Sequence, residues 1–145
     1  MKLISHRGNI DGRNERYENT ISYILSALKE YDVEIDVWLI DRVFFLGHDK
    51  PTEKIDIDFL YSHSNLWIHC KNIEALHKLH KDCHCFFHDK DDVVLTSKNI
   101  IWTHFETPVL PNSVCVLPEL NNYDKNLLKQ CYGICSDFII NYKDM

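Results

Sequence analysis

Glycine and proline are scarce, four of each in 145 residues, and no Ser-rich, Gln-rich or like-charged tract interrupts the chain. Disordered segments and interdomain linkers need such composition, so residues 1–145 are expected to fold as one domain. Gly8, Gly12, Gly47 and Gly133 are too dispersed for a phosphate loop of the Walker or dinucleotide type, which argues against a nucleotide cofactor. A Gly-x-Ser-x-Gly elbow is missing, and no cysteine has the basic setting of a thiolate nucleophile. Basic residues are outnumbered, 16 Lys plus Arg against 22 Asp plus Glu, for a formal charge of −6. A chain that grips nucleic-acid backbones broadly carries the opposite sign. No run approaches the ~18 apolar residues that span a bilayer, and the opening MKLISHRG lacks the apolar stretch of a signal peptide. A cytoplasmic protein with neither a membrane span nor a nucleic-acid partner is expected. Six cysteines follow no framework spacing, which suits reduced, buried thiols.

What the chain does contain is a series of short apolar runs between polar turns. Residues 2–6, 33–40, 43–46, 66–70, 85–88, 93–96, 100–105, 114–117 and 138–140 read as strands. Helices are expected over 19–31, where Ile21, Ile24, Leu25 and Leu28 fall at 3,4 spacing, and over 73–81 and 125–131. The early strand–helix–strand alternation favours βαβ units and a parallel sheet.

The most informative run is Val33-Glu34-Ile35-Asp36-Val37. Side chains alternate across a strand, so the apolar residues share one face and both carboxylates the other. Two carboxylates about 7 Å apart on one strand face can converge on a hard divalent cation; the bland alternative is an exposed edge strand. Other strand ends carry complementary groups. His6-Arg7-Gly8 follows the first strand, where Arg forks onto phosphate oxygens, His moves a proton and Gly permits a tight turn. Gly47-His48-Asp49 supplies a second histidine, and in-line phosphodiester cleavage needs such a pair. His69-Cys70-Lys71 ends a further run, with His69 and Lys71 on one face beside Trp67.

His6-Arg7-Gly8, Glu18-Asn19-Thr20, Glu34-Ile35-Asp36-Val37 and Gly47-His48-Asp49, in this order and spacing, resemble the N-terminal half of the glycerophosphodiester phosphodiesterase family. That family belongs with the phosphoinositide phospholipase C-like barrels. The resemblance implies a metal-dependent phosphoric diester hydrolase of lipid metabolism acting on a small-molecule phosphodiester. It implies an α/β fold: a compact, reduced (β/α) TIM-like barrel, a short form with several crossover helices shortened or missing. Carried over residue by residue, His6 and His48 become the acid–base pair. Arg7, Glu18 and Lys71 become substrate or phosphate contacts, and Glu34 and Asp36 metal ligands. Asn19 or Thr20 is expected to cap the following helix. Where the family has Glu-x-Lys, this chain has His69-Cys70-Lys71. His69 is therefore a candidate third ligand, and Glu119, at the end of a later strand, another. Mg²⁺ or Ca²⁺ is the expected cofactor, and an imidazole ligand adds Mn²⁺ to the range.

Three alternatives stand beside this reading. The same residues could hold a phosphate or phospholipid head group without turnover, and a cyclising lyase would use the same histidine pair. His77, His80, Cys83, His84, Cys85 and His88 crowd twelve residues with zinc-type donors, without the spacing of a finger or ribbon. Trp102 and His104, like His84, Phe86 and His88, share strand faces and read as core or pocket wall.

Overall fold

The computed structural model describes residues 1–104, 106–121 and 123–145; Phe105, the expected end of one strand, and Asn122 lie outside the described residues. Ten strands form one mixed sheet. In chain order they are β1 (Lys2–His6), β2 (Asp32–Ile40), β3 (Val43–Leu46), β4 (Glu53–Ile55), β5 (Leu66–Cys70), β6 (Cys85–Phe86), β7 (Val93–Leu95), β8 (Ile101–Thr103), β9 (Ser113–Val116) and β10 (Gly133–Ser136). The helices are α1 (Ile21–Ala27), α2 (Ile57–Ser62), α3 (Ile73–Leu79) and α4 (Lys125–Leu128). From β1 the sheet runs in parallel through β2 and β5 to β6 on one side, and through β10 and β9 to β8 on the other. Antiparallel β3 and β4 continue from the far half of β2, and antiparallel β7 closes the β8 side.

This architecture overturns the reduced (β/α) TIM-like barrel. The sheet is a curled half-barrel of mixed strand direction, and strand and helix do not alternate around it. Four helices of four to seven residues cannot cover eight strands, because 145 residues leave too little chain for a crossover helix after each one. The chain uses hairpins instead, at β2–β3–β4 and β7–β8. Among the described residues no ladder joins β6 to β7. Ser97 bridges that gap: its N–H donates to the Cys85 carbonyl at 2.8 Å, and its hydroxyl accepts from the Cys85 N–H at 3.0 Å.

Two further expectations change. Residues 138–140 are not a strand; they enter a 3-10 turn, Ile139–Tyr142, and the last strand lies earlier, at Gly133–Ser136. Gly133 lets β10 approach β1 closely: an added Cβ would stand 2.9 Å from Lys2 Cβ and 3.0 Å from the Lys2 carbonyl oxygen. The helix expected over 19–31 is shorter, because Asn19 is held in left-handed backbone (φ 57°) and faces the strands.

Period-two alternation sorts the sheet into two faces. Val33, Ile35, Val37, Ile68 and Cys70 pack against Ile24, Ala27, Leu60, Ala75 and Leu79 of α1–α3. The concave face holds Ile4, Trp67, Phe86, Trp102, Val114 and Val116 as a second apolar cluster. All six cysteines are free and buried.

Candidate metal centre and acid–base pocket

On the concave face the strands change character one rung above the apolar cluster. Ile4 is followed two residues later by His6, Trp67 by His69, Phe86 by His88 and Trp102 by His104. The same alternation that buries the aromatic residues thus delivers a histidine from each strand end to a common level. Glu34 and Asp36 join them from β2, 2% and 0% exposed. His6, Arg7, Glu34, His48, His69, His88 and His104 line one cavity of about 140 Å³, with Asp91 and Asp92 at its rim and Trp102 in its wall. A larger cavity of about 800 Å³ between α3 and the β6–β7 edge is lined mainly by apolar residues such as Leu76, Phe87 and Leu95 and contains none of this cluster.

Glu34, Asp36 and His69 each offer a ligand atom, and the three atoms lie within 4.8 Å of one another, the one such metal-competent group among the described residues. The register explains the convergence: Asp36 of β2 pairs with His69 of β5. Glu34 Oε2 and Asp36 Oδ1 are buried without a hydrogen-bond partner. Asp36 Oδ1 has His69 Nδ1 at 3.0 Å and Lys71 Nζ at 3.5 Å as ion pairs that lack hydrogen-bond alignment. Buried carboxylate oxygens normally find donors, so two left open beside an imidazole fit a divalent cation. The His and Cys residues between 77 and 88 form no comparable group among the described residues.

Their surroundings shift the two carboxyls in opposite directions. Burial alone would raise the Asp36 carboxyl, but His69, Arg7 and Lys71 outweigh it and hold the group well below the usual carboxylate range. Arg7 Nε is 3.1 Å from Asp36 Oδ2, and the Asn19 amide donates to the same oxygen at 2.8 Å while accepting the Asp36 N–H at 3.0 Å. Asn19 is therefore a site residue, not the expected helix cap. Thr20 takes the cap position without a side-chain cap bond. Glu34 moves the other way, raised by burial and by the Asp36 charge.

Both predicted catalytic histidines have Nδ1 tied to a carboxylate. His6 Nδ1 lies 2.8 Å from Asp137 Oδ1, and His48 Nδ1 lies 2.8 Å from Asp49 Oδ1. Ionised carboxylates only accept, so each ring carries its proton on Nδ1 and keeps Nε2 for chemistry; His6 Nε2 is 3.8 Å from Glu34 Oε2. Burial pushes His6 down, but Asp137 and Glu34 reverse this and leave it raised. Burial lowers the half-exposed His48. Gly47 brings His48 in: at φ 136° it donates its N–H to the Asp36 carbonyl at 3.2 Å, and a Cβ there would collide with the Lys50 carbonyl.

Arg7 sits in left-handed backbone (φ 56°), its N–H on the Glu34 carbonyl at 2.9 Å and its guanidinium 3.4 Å from Glu18 Oε1. Such strain in a non-glycine residue is costly and clusters at functional sites. Lys71 Nζ lies 3.5 Å from Asp36 Oδ1. Glu119 stands apart from the three-residue group: its Oε1 accepts the Asp137 N–H at 2.9 Å. Asp137, Asn9 and Asn19 were not foreseen as site residues, since each lies in a loop with no distinguishing periodicity.

No family model, no curated protein and no solved structure matches the chain. No helix among the described residues is long and apolar enough to cross a membrane.

Proposed function

We propose that the chain is a metal-dependent phosphodiester hydrolase resembling the glycerophosphodiester phosphodiesterases. The observation that supports this best is the single cavity lined by His6, His48, Arg7, Glu34 and His69, with Asp36 buried against His69. A phosphodiester needs positive charge on its equatorial oxygens, a base for the nucleophile and an acid for the leaving oxygen, and the cavity offers a residue for each. Arg7 and Lys71 hold the phosphate oxygens. One of His6 and His48 takes a proton at Nε2 from water or a substrate hydroxyl, and the other returns one from Nε2 to the departing oxygen. Asp137 and Asp49 hold the Nδ1–H of both rings, so the base presents a bare Nε2 and the acid enters as the imidazolium, protonated on both nitrogens. Glu34, Asp36 and His69 would hold Mg²⁺, Ca²⁺ or Mn²⁺, which supplies Lewis-acid neutralisation of the charge that grows on the phosphate.

The test is hydrolysis of an aryl phosphodiester and of glycerophosphocholine with Mg²⁺, Ca²⁺, Mn²⁺ or EDTA. Turnover should require metal, and each single variant, His6→Ala or His48→Ala, should lose on the order of 10²–10⁴ in kcat. Phosphorus NMR of the product separates hydrolysis from cyclisation. Turnover that survives EDTA, or an active double variant, overturns the reading. Calorimetric metal binding with no turnover of either diester replaces it with a phosphate or head-group binding module.

A further inference from the structure

Asn9 is fully buried, yet it belongs to neither the histidine pair nor the carboxylate group. We propose that Asn9 is a positioning residue that holds His6 and Arg7 in one mutual geometry by dividing its side-chain amide between Asp137 and Glu18. The inference rests on the phosphodiesterase reading for its kinetic consequence alone.

The hydrogen bonds fix the amide's orientation. Asn9 Oδ1 accepts the Asn14 backbone N–H at 3.0 Å, and a backbone N–H can only donate, so the oxygen is identified. The Nδ2 group then donates to Asp137 Oδ1 at 2.8 Å and to Glu18 Oε2 at 3.3 Å. Both acceptors are carboxylates, which when ionised have only acceptor positions, and both hydrogens of the amide are consumed. Each carboxylate then carries a functional cation or imidazole. Asp137 Oδ1 bonds His6 Nδ1 at 2.8 Å, and Glu18 Oε1 pairs with Arg7 Nη1 at 3.4 Å. One side chain thus links the turn after β10, which supplies Asp137, to the loop after β1, which supplies Glu18.

Chemistry at position 9 is restricted accordingly. An aspartate would crowd three carboxylates together, and an alanine would leave Asp137 and Glu18 each short of a donor. The backbone of Asn9 has a separate role: its N–H donates to the His6 carbonyl at 2.9 Å, and its carbonyl accepts the buried Ser5 hydroxyl at 2.7 Å. Ser5→Ala therefore loosens the same turn without touching the amide, which separates positioning from turn stability.

The experiment compares Asn9→Ala with Ser5→Ala in the full chain by three readouts: kcat and KM on the aryl phosphodiester, calorimetric affinity for inorganic phosphate, and the ¹⁵N NMR signature of the His6 ring. Asn9→Ala should lower kcat on the order of 10²-fold through misplaced His6. It should also weaken phosphate about tenfold through Arg7, and the single Nδ1–H signature of His6 should be lost. Ser5→Ala should lower Tm and keep all three readouts. Wild-type phosphate affinity and ring signature in Asn9→Ala, or equal losses in Ser5→Ala, overturn the proposal. If Asn9→Ala does not fold, the cycle of Asp137→Asn, Glu18→Gln and their double variant decides: linkage through Asn9 requires non-additive phosphate affinities, and strict additivity overturns it. If the wild type turns over neither diester, the phosphodiesterase reading falls on its own, while the phosphate and NMR readouts still judge Asn9.

Discussion

The two walls of the cavity are built differently. The wall from β1, β2 and β5 is cross-braced: Asp36 alone meets Arg7, Asn19, His69 and Lys71. On the facing wall, from the end of β6 and the loop to β7, His88 stacks on the His69 ring at 4.4 Å and its carbonyl accepts from His69 Nε2 at 3.4 Å, while its own Nδ1 has no hydrogen-bond partner. Strand ladders fix the first wall to its register, whereas residues 87–92 connect two edges that share no ladder. Ion pairs are thus concentrated on the ladder-fixed wall, and the other side carries the His88 and His104 rings and the Asp91 and Asp92 carboxylates. A site of this design has a preorganised electrostatic half and a half held by fewer polar contacts.

The sharpest way to break this contrast is to remove the hub of the braced wall. Asp36→Ala leaves Arg7, His69 and Lys71 buried without their shared counter-charge, and should cost about 3–5 kcal/mol in urea unfolding. His88→Ala on the other wall should cost about 1 kcal/mol. Equal losses would erase the distinction. Next in size is Gly47→Ala, about 1–3 kcal/mol from φ 136° alone with the Lys50 carbonyl collision added; His48 moves with that turn, and a melting curve together with kcat reads both effects.

Glu34→Gln sharpens the comparison inside the braced wall. Because burial and Asp36 raise the Glu34 carboxyl, deleting its charge should leave apo stability unchanged or slightly higher. Calorimetric Mn²⁺ affinity should nevertheless fall at least about tenfold, in line with loss of a ligand. A large stability loss in Glu34→Gln would show that its charge is as well balanced as that of Asp36.

The smallest expected effect is a pH dependence from the less braced side. Burial lowers His88 to about 4 and His84, beneath it, to about 4 as well. Between that value and the unfolded value of about 6.5, the unfolded chain binds more protons than the native one, so stability rises with pH across the window and declines on acidification. Thermal melts from pH 7 to pH 4 should show the decline, shallower in His88→Phe; an unchanged slope in that variant would take His88 out of the account.

Much of the site was legible because strand alternation is a strict rule. Glu34 and Asp36 had to share a face, and His69 and Lys71 had to share the next. The fold was less legible, since short apolar runs fix strands but not what connects them, and hairpins replaced most of the expected crossover helices. Asn19 looked like a cap because Asn is favoured there; a tertiary bond to Asp36 outweighed that preference. Asp137 lies in the turn after β10, and its importance comes from a residue 131 positions away, a separation that no local pattern encodes.

That separation has a consequence for how the site is assembled. Glu34, Asp36 and His48 come from one hairpin, so the loop between them closes over few residues at small entropic cost. The His6–Asp137 bond, by contrast, must wait for β10 to dock on β1, the longest-range closure of the sheet. The His6 ring is therefore oriented last. A chain lacking its final strand carries both carboxylates of β2 but has nothing to aim His6.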